Sequence, residues 1–296
     1  MLAQNGNNVS GFSLKPEIDS LFYRENIASY LQNDIRGDIR DLSALKQTIF
    51  KLKPDVVIHL AAQALVGESF KNPMDTFTTN VLGTANLLES VISSNSVRTC
   101  VIITTDKVYS NDNSPKQGFV ENSPLGISDP YSSSKALADL WTQTFARLHP
   151  DAKIFIARAG NVIGAGDSTK GRLIPDLREA WTSKTKAIIR NPYAIRPWQH
   201  VSDCITGYQL LVEKSDLLEN GSSWNFSPNL EEHLSVKNVV ELASNIWPSK
   251  AEWEIDSVKK YPETDKLIIN SSKARNFLNW SPKMGIQASL KEALLN

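Results

Sequence analysis

At 296 residues, with 41% hydrophobic and 22% charged side chains, the chain is long enough for one large or two modest globular domains. Its 32 basic and 32 acidic residues cancel, so no global field recruits nucleic acid or an anionic membrane. No apolar run would span a bilayer, no signal peptide is read, and Cys100 and Cys204 read as free buried thiols, so a cytoplasmic protein without a bound metal is expected.

The first six residues look like the last turns of a helix ended by Gly6. Residues 9–14 read as a strand, 16–31 as loop and short helix, and 34–40 as a short strand and turn. Asp41 suits the N-cap of a helix over 42–51, with Leu42, Leu45, Ile49 and Leu52 on one face. Pro54 and Asp55 break it. A buried strand follows at 56–62, then a helix at 73–93 and a strand at 100–104. Pro130 starts a helix over 131–148, and 154–158 is another buried strand. Near-continuous apolar strands alternating with helices predict an α/β fold: a doubly wound, Rossmann-like, mostly parallel sheet. Beyond Gly164 the alternation loosens. Loops there carry Arg172, Arg190, Arg196 and Trp198, followed by helices at 236–246 and 272–278 and a short strand near Trp253. The division expected is a dinucleotide-binding domain over 1–165, rejoined near 199–235. A smaller α/β substrate domain then takes 166–198 and 236–296.

A dinucleotide-binding fold opens with a strand, a glycine-rich turn and a helix whose N-terminus holds the pyrophosphate. This chain reads as starting inside that helix. Gly6 and Gly11 lack the required spacing. In the usual strand order the first strand is central, so a sheet without it has two unpaired ladder edges. The expectation is an upstream start, on the order of 20 residues earlier, or a damaged copy.

Two polar clusters follow these elements. Tyr131 and Lys135, spaced i and i+4, share a helix face. An ammonium beside a phenol lowers the phenol's pKa from ~10, which suits a base for an alcohol proton. Alone, such pairs are mostly surface neighbours. Thr105, Asp106 and Lys107 stand just past a buried strand, where ligands bind in open α/β sheets. A turn cap is their plainer reading. A carboxyl beside an amine also divides acid and base work, provided the lysine pKa falls well below ~10.4.

The runs His59-Leu-Ala-Ala-Gln63, Asn80-Val-Leu-Gly-Thr84, Thr104-Thr-Asp-Lys107, Asp129-Pro-Tyr-Ser-Ser-Ser-Lys135, Ala157-Arg-Ala-Gly-Asn-Val-Ile-Gly164, Arg172-Leu-Ile-Pro175 and Arg196-Pro-Trp-Gln-His200 span nearly the whole chain. In that order they resemble the extended short-chain dehydrogenase/reductases that act on nucleotide sugars, the NAD-dependent epimerases and dehydratases. Among these the likeness is to the CDP-glucose 4,6-dehydratases. The Asp106-Lys107 pair discriminates most, since the dTDP-glucose enzymes carry Asp-Glu there.

The resemblance implies oxidation of a CDP-glucose C4 hydroxyl by Tyr131, Lys135 and Thr105 with NAD. Lys107 would then take the C5 proton, Asp106 would protonate the leaving C6 hydroxyl, and hydride would return to C6. It places Asp38 and Ile39 at the adenine, Ala61, Ala62 and Gln63 along the cofactor cleft, and Asn80 behind them. Ser13, where a carboxylate often reads the ribose, would meet the adenosine. Tyr131 and Lys135 would also touch the cofactor. Asn161, Arg172, Arg190, Arg196 and His200 would surround the nucleotide sugar. A homodimer through helices 73–93 and 131–148 is implied as well. Two alternatives stand beside this reading, a nucleotide-sugar 4-epimerase and an inactive nucleotide-sugar-binding paralogue. The family's usual aromatic residue after Gly-Gly-Asp is Ser168 here, in Gly164-Ala-Gly-Asp167-Ser168, and the chain stops slightly earlier than the family tends to.

Overall fold

The computed structural model describes residues 1–110, 115–126, 128–256 and 264–296. The strands are β1 Ser10–Ser13, β2 Asn33–Arg36, β3 Val56–His59, β4 Thr99–Ile103, β5 Ile154–Ala159, β6 Asn161–Ile163, β7 Ala187–Ile189, β8 Ile195–His200, β9 Ser223–Phe226, β10 His233–Ser235 and β11 Trp253–Ile255. The helices are α1 Leu21–Arg24, α2 Leu42–Leu52, α3 Val66–Lys71, α4 Pro73–Phe77, α5 Gly83–Ile92, α6 Pro130–Leu148, α7 Leu173–Thr182, α8 Val201–Glu213, α9 Val236–Ile246 and α10 Ile286–Leu295.

The main sheet has the order β3-β4-β5-β9, all parallel. Strand alternation sends Cys100, Ile102 and Ile154 to one face, against Leu45 and Ile49 of α2, Leu87, Leu88 and Val91 of α5, and Phe145 of α6. Val101, Phe155 and Ala157 go to the other, against Cys204, Tyr208 and Leu211 of α8 and Trp280. Both faces are covered, which is why these strands read as unbroken apolar runs. Each buried Leu, Ile or Phe contributes about 1.5–3 kcal/mol of transfer free energy. Burial pushes the thiols of Cys100 and Cys204 up to about 12, so they are unreactive.

β1 and β2 form a separate parallel pair. Among the described residues no strand pairs with the free edge of β1 or of β3. Val9 and Leu31 on one side, and Ile58 and Leu60 on the other, line the same cleft. β3 is accordingly only half-buried along Val56–Ile58, unlike β4 and β5, and Leu60 is 63% exposed. The two open ladder edges foreseen for a sheet without a central first strand are present.

Caps behave as the sequence demands. Asp41 accepts from Ala44 N at 2.9 Å, and Asp129 from Ser132 N at 2.9 Å with Pro130 in the first turn of α6. The expected helix at 73–93 is instead α4, a π-helical turn over Thr78–Leu82 and α5. The irregular turn carries buried Asn80 toward the loop after β3.

The chain after β5 departs from expectation. Arg196 and Trp198 lie in a strand, not a loop: β8 pairs antiparallel with β10 and parallel with β6. Its polar and Pro-containing sequence hides the strand, because Arg196, Gln199 and His200 are buried with hydrogen-bonding partners rather than facing water. Arg172 and Arg190 do stand outside regular elements, just before α7 and just after β7. β7 pairs parallel with β11. A second core unites Ile163, Leu177, Trp181, Ile189, Trp198, Val240 and Leu294. Among the described residues no helix is long and apolar enough to cross a membrane.

Candidate active site

One cleft of about 1240 Å³ runs from Met1–Gln4 past the ends of β3 and β4 to β6, α7 and β7. Thr104, Thr105, Asp106, Lys107, Tyr131, Asn161, Arg172, Arg190 and Arg196 all line it. The two polar clusters and the expected substrate arginines therefore share a wall.

β4 ends at Ile103, Thr104 follows it, and a short 3-10 turn over Asp106–Val108 comes next. Thr105 does act as a cap: its hydroxyl accepts from Lys107 N at 3.3 Å and donates to Asp106 Oδ1 at 3.0 Å. The other carboxylate oxygen, Oδ2, is buried with no hydrogen-bond partner among the described residues. Burial pushes the Asp106 carboxyl up to about 6, against the opposing pull of Lys107, Thr105 and Arg196. A carboxyl in that range holds a proton to give up to about pH 6.

Tyr131 comes from the first turn of α6, and its phenol faces Thr105 across the cleft. Burial pushes its phenol up to about 12, despite Thr105 and Arg172. The expected lowering by Lys135 is thus not what the structure shows: Lys135 Nζ turns to Ile103 O, and desolvation, with the Asp106 and Asp129 charges, raises the phenol against Thr105 and Arg172. Lys135 is pushed down to about 8 by burial, with Asp139 opposing, and its Nζ donates to Ile103 O at 2.9 Å. His59 is a satisfied buried residue: Nε2 meets Thr84 Oγ1 at 3.0 Å, and burial pushes it to about 3.

Among the substrate candidates, Arg196 is buried and donates to Ile195 O at 2.8 Å and Thr264 O at 2.6 Å. Arg172 faces Asp167 at 3.4 Å, and Arg190 donates to Gly171 O at 3.3 Å. His200 is not brought to the cleft. As the last residue of β8 it caps α8, with Nδ1 2.6 Å from Ser202 Oγ and Nε2 3.2 Å from Glu292. A strand end that turns at once into a helix uses its ring locally.

Of the cofactor candidates Tyr131 lines the cleft, whereas Ser13, Asp38, Ile39, Ala61, Ala62 and Gln63 stand at or just past strand C-termini, Asn80 in the π-helical turn and Lys135 in α6, outside its lining. Ser13 ends β1 and accepts from Arg36 Nη1 at 2.7 Å. Asp38 holds Arg40 at 2.9 Å, which keeps its carboxyl below the usual range. Ile39 is core, packed against the α5 face. Ala61 and Ala62 are half-buried beyond β3. Asn80 accepts from Gln63 N at 2.8 Å and donates to Gln63 O at 2.9 Å and Ser134 Oγ at 2.8 Å, tying that loop to α6. Gln63 Nε2 also donates to Thr76 Oγ1 at 2.8 Å. Polar groups at the ends of β1, β2 and β4, beside a cleft of this size, fit a dinucleotide. They do so for its adenosine and nicotinamide ends; Gly6 closes a 3-10 turn and Gly11 lies within β1, so neither serves the pyrophosphate.

Gly160 was not foreseen as part of the site. A Cβ there would lie 2.3 Å from Pro197 Cγ and 3.1 Å from Asp106 Oδ2. The available signal was a glycine directly after a buried strand, which marks close backbone approach. Gly160→Ala is expected to cost about 1–3 kcal/mol of stability and to reduce turnover at least tenfold by displacing Asp106. Urea melts and steady-state kinetics check both; unchanged kcat would refute the displacement.

Parallel strands set Tyr131 beside the Thr105-Asp106-Lys107 turn in one cleft, with Lys135 behind it on α6, the arrangement expected of an extended short-chain dehydrogenase/reductase. The model of the GDP-mannose 4,6 dehydratase family matches residues 1–293. The chain is 37% identical over 300 residues to CDP-glucose 4,6-dehydratase of Salmonella typhimurium, covering 98% of this chain and 83% of that protein. Two solved structures share the fold. One is dTDP-glucose 4,6-dehydratase of Bacillus anthracis in complex with NAD (TM-score 0.85, 23% identity, 99% of this chain and 89% of that one). The other is UDP-glucose 4-epimerase of Thermotoga maritima with UDP-glucose (TM-score 0.85, 22% identity, 99% and 92%). The chain belongs to the GDP-mannose 4,6-dehydratase family.

Proposed function

We propose that this chain converts CDP-glucose to CDP-4-keto-6-deoxyglucose in the cytoplasm, with NAD as its internal redox cofactor. The observation that carries the reading is Asp106: a buried carboxyl with one unpartnered oxygen, beside Lys107, in the cleft that holds Tyr131. The CDP-glucose preference rests on the 37% identity to the Salmonella enzyme. Bound NAD+ supplies the hydride acceptor for C4 and the hydride donor for C6. Tyr131 takes the C4 hydroxyl proton as its phenolate, formed against the burial that raises its pKa, with Thr105 beside the phenol and Lys135 one turn along the same helix face. The ketone so formed acidifies C5. Lys107 takes the C5 proton, and Asp106 gives its proton to the C6 hydroxyl, which leaves as water. Lys107 then returns a proton to C5. Arg172, Arg190 and Arg196 hold the pyrophosphate by bidentate donors, and the second core around Trp181 and Trp198 serves as the substrate domain.

The test is incubation with CDP-glucose and NAD+, scoring the 4-keto-6-deoxy product, with dTDP-, UDP- and GDP-glucose in parallel. Equal turnover of all four would remove the CDP assignment. Inversion at C4 without loss of water would make the chain an epimerase. Binding without turnover of any would leave it a non-catalytic nucleotide-sugar binder.

The same reading includes a homodimer. Met74 and Phe77 of α4, Leu82, and Leu137, Leu140 and Trp141 of α6 are exposed although apolar, on adjoining elements. Pairing these faces between two copies would cover them. Light scattering after gel filtration is expected to give a dimer for the parent and a monomer for Trp141→Glu. A parent monomer, or a dimer that survives the substitution, would disprove this interface.

A further inference from the structure

Behind the cleft lies an ion pair that the proposed chemistry does not use. Asp139 of α6 and Arg158 of β5 are both essentially inaccessible. Arg158 Nε and Nη2 donate to the two carboxylate oxygens at 2.8 and 2.7 Å. Thr104 Oγ1 donates to Asp139 Oδ2 at 3.1 Å, and Gln143 Nε2 to Oδ1 at 2.8 Å. The remaining arm of Arg158 donates to Tyr109 OH at 3.0 Å and Glu121 O at 2.9 Å.

We propose that Asp139, fixed by Arg158, is a positioning residue that sets the Thr105-Asp106-Lys107 turn against the Tyr131–Lys135 face of α6. The geometry is direct. Thr104 immediately precedes Thr105, and Lys135 lies one helical turn before Asp139, so a single carboxylate holds both clusters. The plainer alternative is that the pair serves stability only. Buried ion pairs are often replaceable by apolar residues without loss, so a pair kept for stability alone need not touch the end of β4. Yet Asp139 donates no protons here and receives three donors from three elements, one of them the residue that leads into the site. Its charge also acts on Lys135, raising the ammonium's pKa against burial. Lys135 is faced by His59 from β3, Asp139 from its own helix, and the Ile103 carbonyl from β4. Asp139 is faced by Arg158 from β5, and through it by Tyr109.

The assignment rests on the proposed reaction for its kinetic half only. The Lys135 titration, followed by NMR of side-chain-labelled lysine in the intact chain, needs neither cofactor nor substrate. Asp139→Asn is expected to move the Lys135 midpoint below about 8, by on the order of one unit. It should lower kcat at least tenfold with KM unchanged, and Asp139→Glu should restore part of kcat. If Asp139→Asn does not fold, Thr104→Val decides: it deletes the strand-end hydrogen bond, leaves the ion pair, and is expected to lower kcat about tenfold. A Lys135 midpoint that stays put in a folded Asp139→Asn protein, or full kcat in Thr104→Val, overturns the proposal. A parent chain inactive on every nucleotide sugar would overturn the reaction instead, while the titration still decides the charge coupling.

Discussion

Asp106→Asn is expected to stop water loss and, at the same time, to make the folded protein more stable. General acid catalysis is worth about 10²–10⁴ in rate, so turnover should fall by about 10³. The stability gain follows from linkage. The carboxyl is raised in the folded protein to about 6 from an ordinary 3.8 by burial, so the fold holds the proton more tightly than the unfolded chain does. Below about pH 4 both states are protonated and the group costs nothing. As pH rises through 4 to above 6 the ionised form is penalised in the fold, by about 3 kcal/mol once complete. Asparagine removes that slope, so the variant should gain stability over the parent at neutral pH and match it near pH 4. The parent's dehydration rate should fade as pH rises through about 6, when the acid loses its proton. Thermal melts at the two pH values and a pH–rate profile check both halves. A parent rate flat from pH 5 to 8 would remove Asp106 from the role of acid.

Tyr131→Phe should abolish the reaction at an earlier point, again by about 10³. The substitution keeps the ring and deletes the hydroxyl that meets Thr105, so folding should change by no more than about 1 kcal/mol. The two variants part company at C5. Asp106→Asn leaves Tyr131 and Lys107 in place, so oxidation at C4 and removal of the C5 proton continue. Substrate recovered from D₂O should then carry deuterium at C5. Tyr131→Phe cannot form the ketone, C5 stays non-acidic, and no deuterium enters. Deuterium at C5 in Tyr131→Phe would show that another group starts the reaction.

Much of this was legible locally. β4, β5 and α6 announce themselves by short apolar runs, an aspartate cap and Pro130. Both chemical clusters sit within a few residues of those signals, so Thr105, Asp106, Lys107, Tyr131 and Lys135 could be named without contacts. The second half resisted. β8 carries Arg196, Pro197, Gln199 and His200, a composition that reads as loop because the partners of Arg196 and Gln199, Thr264 and Phe226, stand far along the chain. Arg196 and His200 look equivalent in sequence, yet one lines the cleft and the other caps α8. The sign of the Tyr131 shift went the other way for a related reason: a neighbour at i+4 is visible in a sequence, while the extent of desolvation is not.

The order of residues alone determined the alternating α/β plan and the acid–amine and phenol–amine pairs. Those are short-range properties, encoded by periodicity, caps and spacing. Tertiary structure alone decided that Asp106 holds its proton up to about pH 6, that Gly160 must stay bare to let Pro197 and Asp106 approach, and that Asp139 joins the end of β4 to α6. Each of these depends on burial or on a contact between segments distant in the chain, and neither quantity exists until the sheet and its covering helices have closed around the site.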